Sequence, residues 1–171
     1  ANPDLGPEQI DNYEIGGTFR LTGTLSFSPS FYYAKGKDFL YYVATGEKMW
    51  GKRDIFQRRN ISKVDVKGIE ADLNYTPVNN LKINLNYSYN DAKIKDFKEQ
   101  PELNDKLLTY APKHQVKGYI LWTGGIVDAM FRGRYKSKQY TSEDNSTAIK
   151  GFAIWDAQLS KWLFRHRLYV S

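Results

Sequence analysis

The 171-residue sequence has no cysteine, which removes disulfides and thiolate metal sites from its possible chemistry. No apolar run approaches the roughly 18 residues that a membrane-spanning helix needs. The two histidines, His114 and His166, are not set in the Ser- or Cys-containing patterns that nucleophilic catalysis requires. His, Asp and Glu are not clustered at metal-ligand spacing. Enzyme activity, a metal site and a cofactor are therefore not expected. The amino terminus also lacks the charged segment and apolar stretch of a secretion signal. For an envelope protein this implies that the signal was removed or that the chain is a piece of a longer one.

What is present is alternation. Residues 81–90 place Leu81, Ile83, Leu85, Tyr87 and Tyr89 on one face and Lys82, Asn84, Asn86, Ser88 and Asn90 on the other. About ten residues is the length a tilted strand needs to cross the hydrocarbon of a bilayer. A mean hydropathy of −0.62 excludes membrane helices but not a barrel, because only one face of a barrel strand meets lipid. Aromatic residues make up 15% of the chain, with 13 tyrosines. Tyr and Trp collect where hydrocarbon meets headgroups, and Tyr75, Tyr87, Tyr89, Trp122, Tyr135, Tyr140, Trp155 and Trp162 lie near expected strand ends. The plainer reading of these aromatics is the core of a soluble β-sandwich.

Turn signals divide the chain into about eight strands: 12–20, 25–35, 62–75, 81–92, 114–123, 127–139, 150–162 and one beginning near Arg167. Tight turns fall near 21–24, 77–80, 124–125 and 164–166. Longer, more polar connections occupy 36–62, 95–113 and 141–148. Short turns and long loops thus alternate, an asymmetry typical of outer-membrane barrels with brief periplasmic turns and extended outer loops. The expected fold class is all-β, with antiparallel transmembrane strands of a β-barrel.

With the apolar faces assigned to lipid, the lumen wall carries Glu70, Asp72, Arg132 and Arg134, together with Asp156. That density of charge favours a wide, hydrated lumen over a small barrel filled with side chains. The chain is basic, at +6, and the first long connection concentrates Lys48, Lys52, Arg53, Arg58, Arg59 and Lys63 beside Met49, Trp50 and Phe56. Such a loop suits an anionic substrate or the phosphates of lipopolysaccharide. It also suits a merely solvated barrel rim. Nucleic acid is not expected, because no recognition helix or RNA-binding aromatic motif is present.

Ordered motifs then carry a family resemblance. Asn2-Pro3-Asp4-Leu5-Gly6-Pro7-Glu8 leads into Tyr13-Glu14-Ile15-Gly16. Asn60-Ile61, Val64, Gly68-Ile69-Glu70 and Tyr75 follow, then Tyr110-Ala111-Pro112-Lys113-His114 ahead of a strand. A hairpin with Tyr135 and Tyr140 and a strand around Asp156 close the series. In this order they resemble the later barrel strands of TonB-dependent outer-membrane receptors. The resemblance implies that residues 1–171 are one section of a single barrel domain of about 22 strands, without its plug domain and terminal strands. It also implies a bacterial outer-membrane location and active uptake of a scarce nutrient, a ferric siderophore or similar chelate. The implied partners are outer-membrane lipid and lipopolysaccharide, TonB acting through the missing plug region, and the small-molecule nutrient. Trp50, Arg53, Arg58 and Arg59 are then candidates for substrate contact at the outer loop.

The alternative is a self-contained eight-stranded barrel with a structural or adhesive role, in which residues 13–20 pair with those near Leu168. The intact mass of the native protein from outer-membrane extract separates the two. A section of a plugged receptor predicts a mass several times that of these 171 residues. A mass equal to theirs would favour the small barrel.

Overall fold

The computed structural model describes residues 2–98, 100–163 and 168–170. Its elements are β1 (Gln9–Gly16), β2 (Phe19–Arg20), β3 (Leu25–Met49), β4 (Arg53–Val78), β5 (Leu81–Lys95), a short 3-10 turn at Pro101–Leu103, β6 (His114–Thr123), β7 (Asp128–Lys136), β8 (Gln139–Tyr140), β9 (Ala148–Ile149), β10 (Phe152–Leu163) and β11 (Leu168–Val170). One antiparallel sheet runs in the order β1-β3-β4-β5-β6-β7-β10-β11, with β2 against β3, while β8 and β9 pair separately. Neighbours in sequence are thus neighbours in space, as in an up-and-down barrel wall. Among the described residues β1 pairs with β3 and β11 with β10, so the strand closure demanded by a small eight-stranded barrel is not made. The expected turn at 164–166 lies outside the described residues.

The largest departure from the sequence reading concerns 36–62. It is not a loop: β3 and β4 continue as a long hairpin, 25 and 26 residues in their full lengths. The pairing runs from Leu25↔Tyr75 to Met49↔Arg53, with register shifts between Gly36 and Phe39, Phe39 and Leu40, and Ala44 and Lys48. These irregularities break the two-residue period, which is why the strands beyond Gly36 read as a loop. The hairpin closes at Trp50-Gly51, both with positive φ (49° and 69°), as a primed hairpin turn demands. Gly51 meets that demand at no steric cost. Smaller differences are the break of the first strand at Gly17-Thr18 and the extension of β5 to Lys95.

Cross-strand register defines two faces. Ile69, Leu73 and Tyr75 face the same side as Tyr89, Leu85 and Ile83, and the row continues through Ile120 to Phe131 and Ala157. Many of these side chains are exposed, including Leu85, Ile120, Phe131 and Trp155. In water so continuous an apolar surface would drive association. In a bilayer lipid covers it, and within the sheet the spanning backbone groups pair with the next strand, β1 and β11 being its two edges among the described residues.

A single layer has no interior of its own. Among the described residues the buried apolar side chains are Val64, Ala92, Ile94, Phe97 and Leu103, all beyond the apolar band at the long-loop end. Ile94, Phe97 and Leu103 form a small cluster flanked by Tyr41 and Leu108. The connection 96–113 folds back over β5: the Ile94 N–H donates to Lys106 O at 3.0 Å and the Leu108 N–H to Ala92 O at 3.0 Å. The Asn104 carboxamide accepts from the Phe97 N–H at 2.8 Å. Asn145 ties in the next connection, accepting from the Leu107 N–H at 2.8 Å and donating to Leu107 O at 2.9 Å. The outer loops are thus one packed assembly. Phe97→Ala is expected to remove about 3–5 kcal/mol from it locally. Limited proteolysis in intact membranes should then cut within 96–113 while the strands stay protected.

Candidate functional site: a polar wall and an outer hairpin

The face opposite the apolar band is built from registered polar rows. Asp72, Asn86, Lys117 and Arg134 are successive cross-strand partners, and one row nearer the short turns come Asn74, Asn84, Tyr119 and Arg132. Glu70 pairs with Ser30 on one side and Ser88 on the other. All four residues expected on the lumen wall, Glu70, Asp72, Arg132 and Arg134, therefore share one face. Phe152 and Ile154 extend it across β10 with apolar side chains. A groove of about 420 Å³ is lined by Ser30, Glu70, Asp72, Ser88 and Lys117. A second, of about 660 Å³, is lined by Lys117, Tyr119, Arg132, Arg134 and Asp156.

Charge is unevenly spread over the wall, with Asp128 and Asp156 set among the basic groups of β6 and β7. Acidic groups stand on β1 and β4, where Glu14 accepts from the Ser30 hydroxyl at 2.6 Å. Asp72 accepts from Asn84 Nδ2 at 3.0 Å and from the carboxamides of Asn74 and Asn86. Three carboxamide donors thus converge on this carboxylate. Basic groups stand on β6 and β7. Arg132 Nε donates to Asp156 Oδ2 at 3.2 Å, a hydrated pair worth about 0–1 kcal/mol. Lys117 and Arg134 form no ion pair within the described residues. Lys117 belongs to the wall as fully as the four expected residues; the alternation of Gln115, Lys117 and Tyr119 along β6 is the signal that places it there.

Gly68 is a tight point of this face. A Cβ there would lie 2.2 Å from Tyr89 O and 2.4 Å from the Tyr32 hydroxyl. The Tyr32 ring crosses the glycine so that its hydroxyl donates to Asn90 Oδ1 at 3.1 Å, bracing β3 to β5 over β4. Glycine is required because backbone and ring both occupy the Cβ position.

The outer hairpin does not gather the four expected contact residues into one patch. Trp50 is at the tip, 87% exposed, and Arg53 begins β4 beside it. Arg58 and Arg59 are adjacent in the strand and so point to opposite faces. The Arg58 guanidinium lies over the Tyr42 ring, 4.9 Å from its centroid, whereas Arg59 is the register partner of Tyr41. Tyr41 packs against Phe97 at 5.5 Å between centroids, on the polar-wall side. Burial, then the carboxylates of Glu143 and Glu8, push the Tyr41 phenol well above its usual pKa. Burial likewise raises Glu143. His114 shares a 2.9 Å hydrogen bond with the Tyr87 hydroxyl, and no metal-ligand cluster occurs among the described residues.

One antiparallel layer with a lipid-compatible face, a grooved polar face and long loops at one end is the wall of a transmembrane β-barrel. The family model described as TonB dependent receptor-like, beta-barrel matches residues 1–171. The chain belongs to that family, and its place is the bacterial outer membrane. Among solved structures it is similar to the ferric yersiniabactin uptake receptor FyuA from Yersinia pestis, at 15% identity and TM-score 0.73, covering 92% of this chain and 23% of that one. The siderophore receptor PiuA from Acinetobacter baumannii is similar at 16% identity and TM-score 0.73, covering 93% and 23%. The copper transporter OprC is similar at 17% identity and TM-score 0.71, covering 95% and 24%. This chain thus spans about a quarter of the length of these structures. No curated protein sequence matches it.

The braced glycine gives a direct test of the wall. Gly68→Val is expected to push Tyr32 off β4 and part β4 from β5. Heat-resistant, folded receptor in outer membranes should fall severalfold, while Ser88→Ala on the same face leaves it unchanged.

Proposed function

We propose that this chain is wall and outer rim of a receptor for TonB-dependent active uptake of a scarce nutrient, a ferric siderophore or similar chelate. The observation that carries this reading is the family match over residues 1–171, joined to a polar, charged wall. The chain's similarity to a ferric yersiniabactin uptake receptor, a siderophore receptor and a copper transporter supports a metal chelate as the substrate class. In this reading residues 1–171 are one section of a single barrel domain. A plug domain and further strands belong to the rest of the receptor, TonB acts through the plug region, and no enzymatic step takes part.

The division of labour follows the geometry. Glu70, Asp72, Arg132 and Arg134 form the lumen wall that faces plug and permeating ligand. Trp50, Arg53, Arg58 and Arg59 meet substrate at the outer hairpin, where cationic side chains raise the local concentration of an anionic chelate. Of the two adjacent arginines, Arg59 is the better placed, because it shares the face of Tyr41 above the lumen wall.

Alanine at all four hairpin positions in the intact receptor tests the assignment. Exposed charges contribute up to about 1 kcal/mol each, so affinity for a ferric chelate is expected to fall about tenfold or more, with a flatter salt dependence. Arg59→Ala should account for more of the loss than Arg58→Ala. Unchanged affinity and salt dependence in the quadruple variant would remove the hairpin from the binding site.

A further inference from the structure

Two strands alone make the outer hairpin. Past Gln9↔Lys37 and Lys63↔Lys95, β3 and β4 pair only with each other among the described residues. A lone two-stranded hairpin is marginally stable in water, so contacts beyond its own ladder have to hold it. On the inner face that support is Tyr41, packed against Phe97 and the 96–113 connection. Arg59 shares this face with Tyr41, whereas Asn60 and Arg58 share the other.

The second support is the segment 2–8, the proline-bearing motif that precedes β1. Pro3 and Pro7 have no N–H to give a ladder, so the segment straps across the hairpin instead of extending it as a third strand. Its ends engage both strands. The Glu8 carboxylate accepts from the Leu40 N–H of β3 at 2.8 Å, and the Asn2 carboxamide donates to Arg58 O of β4 at 2.9 Å. Between them the Asn60 side chain bonds as a peptide group would. Its Oδ1 accepts from the Gly6 N–H at 2.8 Å, and its Nδ2 donates to Gly6 O at 2.9 Å and to Asp38 O at 2.7 Å. One side chain thus joins the strap, β4 and the bulge of β3 at Asp38, whose φ is 58°. Residues 3–8 are exposed, so hydrogen bonds rather than burial hold the strap. Asn60 makes two of the four that the strap forms with the hairpin among the described residues.

We infer that Asn60 is a positioning residue, the clasp by which the strap 2–8 holds the outer hairpin in the posture that presents Arg59 to the lumen for capture of an anionic chelate. A hairpin held on one face only pivots about that contact. Held on both faces, between the strap and Phe97, it keeps one posture. A binding segment fixed in advance raises affinity, because its ordering no longer has to accompany binding. The carboxamide is what the clasp needs: Asp at this position would keep the acceptor and lose both donors, and Ala would lose all three bonds. What the hairpin captures rests on the transport reading, whereas the clasp itself is measured without any ligand.

The test uses intact receptor in the outer membranes of whole cells. Asn60→Ala and Asn60→Asp are expected to leave the amount of folded, heat-resistant receptor unchanged, while added protease cuts within 39–62 severalfold faster. In the same variants half-saturation for uptake of a ferric chelate should rise severalfold, with the maximal rate per receptor unchanged. The double variant Asn2→Ala, Glu8→Ala leaves Asn60 in place; it is expected to loosen the hairpin in the same direction and serves if the Asn60 variants fold poorly. A covalent link should restore what Asn60 supplies. The sequence has no cysteine, and a Cβ at Gly6 would meet only Asn60 Oδ1, at 4.0 Å, so the pair Gly6→Cys, Asn60→Cys is placed for joining by oxidation. The oxidised pair is expected to show wild-type protease resistance and half-saturation, both lost on reduction. Wild-type resistance in the folded Asn60 variants, or a cysteine pair that does not join, would overturn the clasp. Faster cleavage with unchanged half-saturation would overturn its part in capture. Failure of the transport reading shows separately, as absence of chelate uptake by the wild-type receptor.

Discussion

Backbone hydrogen bonding across a single sheet is the constraint on which the rest of this structure depends. Hydrocarbon offers no partner for an N–H or C=O group, so each spanning strand must be satisfied by its neighbours. That requirement fixes the register, and the register fixes which side chains share a face. From Leu25↔Tyr75 to Leu81↔Trp122 and Trp122↔Ala129, the pairing carries an apolar stripe across five strands. A slip of one residue would turn Asp72 and Arg134 toward lipid.

With no second layer behind the sheet, order has to come from devices within it. Tyr32 lies across Gly68 to reach Asn90, and Trp155 fills the space over Gly133 while stacking on Phe131 at 5.5 Å between centroids. In each case an aromatic ring covers a glycine on the neighbouring strand, adding contact where the strand itself offers no side chain. Packing of the ordinary buried kind begins only beyond the bilayer, where the 96–113 connection brings Phe97 and Leu103 onto Ile94. The receptor's outer surface is therefore organised by hydrophobic burial, and its membrane wall by hydrogen bonds and registered faces.

Charge is sorted by the same geometry. On the polar face Glu14, Glu70 and Asp72 stand on β1 and β4 and Lys117, Arg132 and Arg134 on β6 and β7, with the amides of β5 between them and Asp128 and Asp156 set among the basic groups. On the other face the ionic side chains of β4 and β5 begin one register step past the aromatic border, where Asp91 gathers its lysines. On a hydrated face Lys117 and Arg134 stand without ion-pair partners among the described residues, because water lowers the cost of an unpaired charge. A lipid-facing position would not.

The sequence by itself determined the faces and most of the strands. A two-residue period held by Leu81, Ile83, Leu85, Tyr87 and Tyr89 leaves little choice once one side must be apolar, and Glu70, Asp72, Arg132 and Arg134 fell to the other side for that reason. It did not disclose that 36–62 is a hairpin, because the bulges beyond Gly36 and the positive φ of Asp38 interrupt the period and both faces there meet water. Only the tertiary structure decided that Arg58 and Arg59 diverge, that Asp91 is buried among lysines, and that the outer hairpin and the 96–113 connection share one small core to which Asn145 ties the next connection. Each of these depends on which strand lies alongside and in what register, and pairing between residues distant in the chain is set by the completed ladder rather than by local pattern.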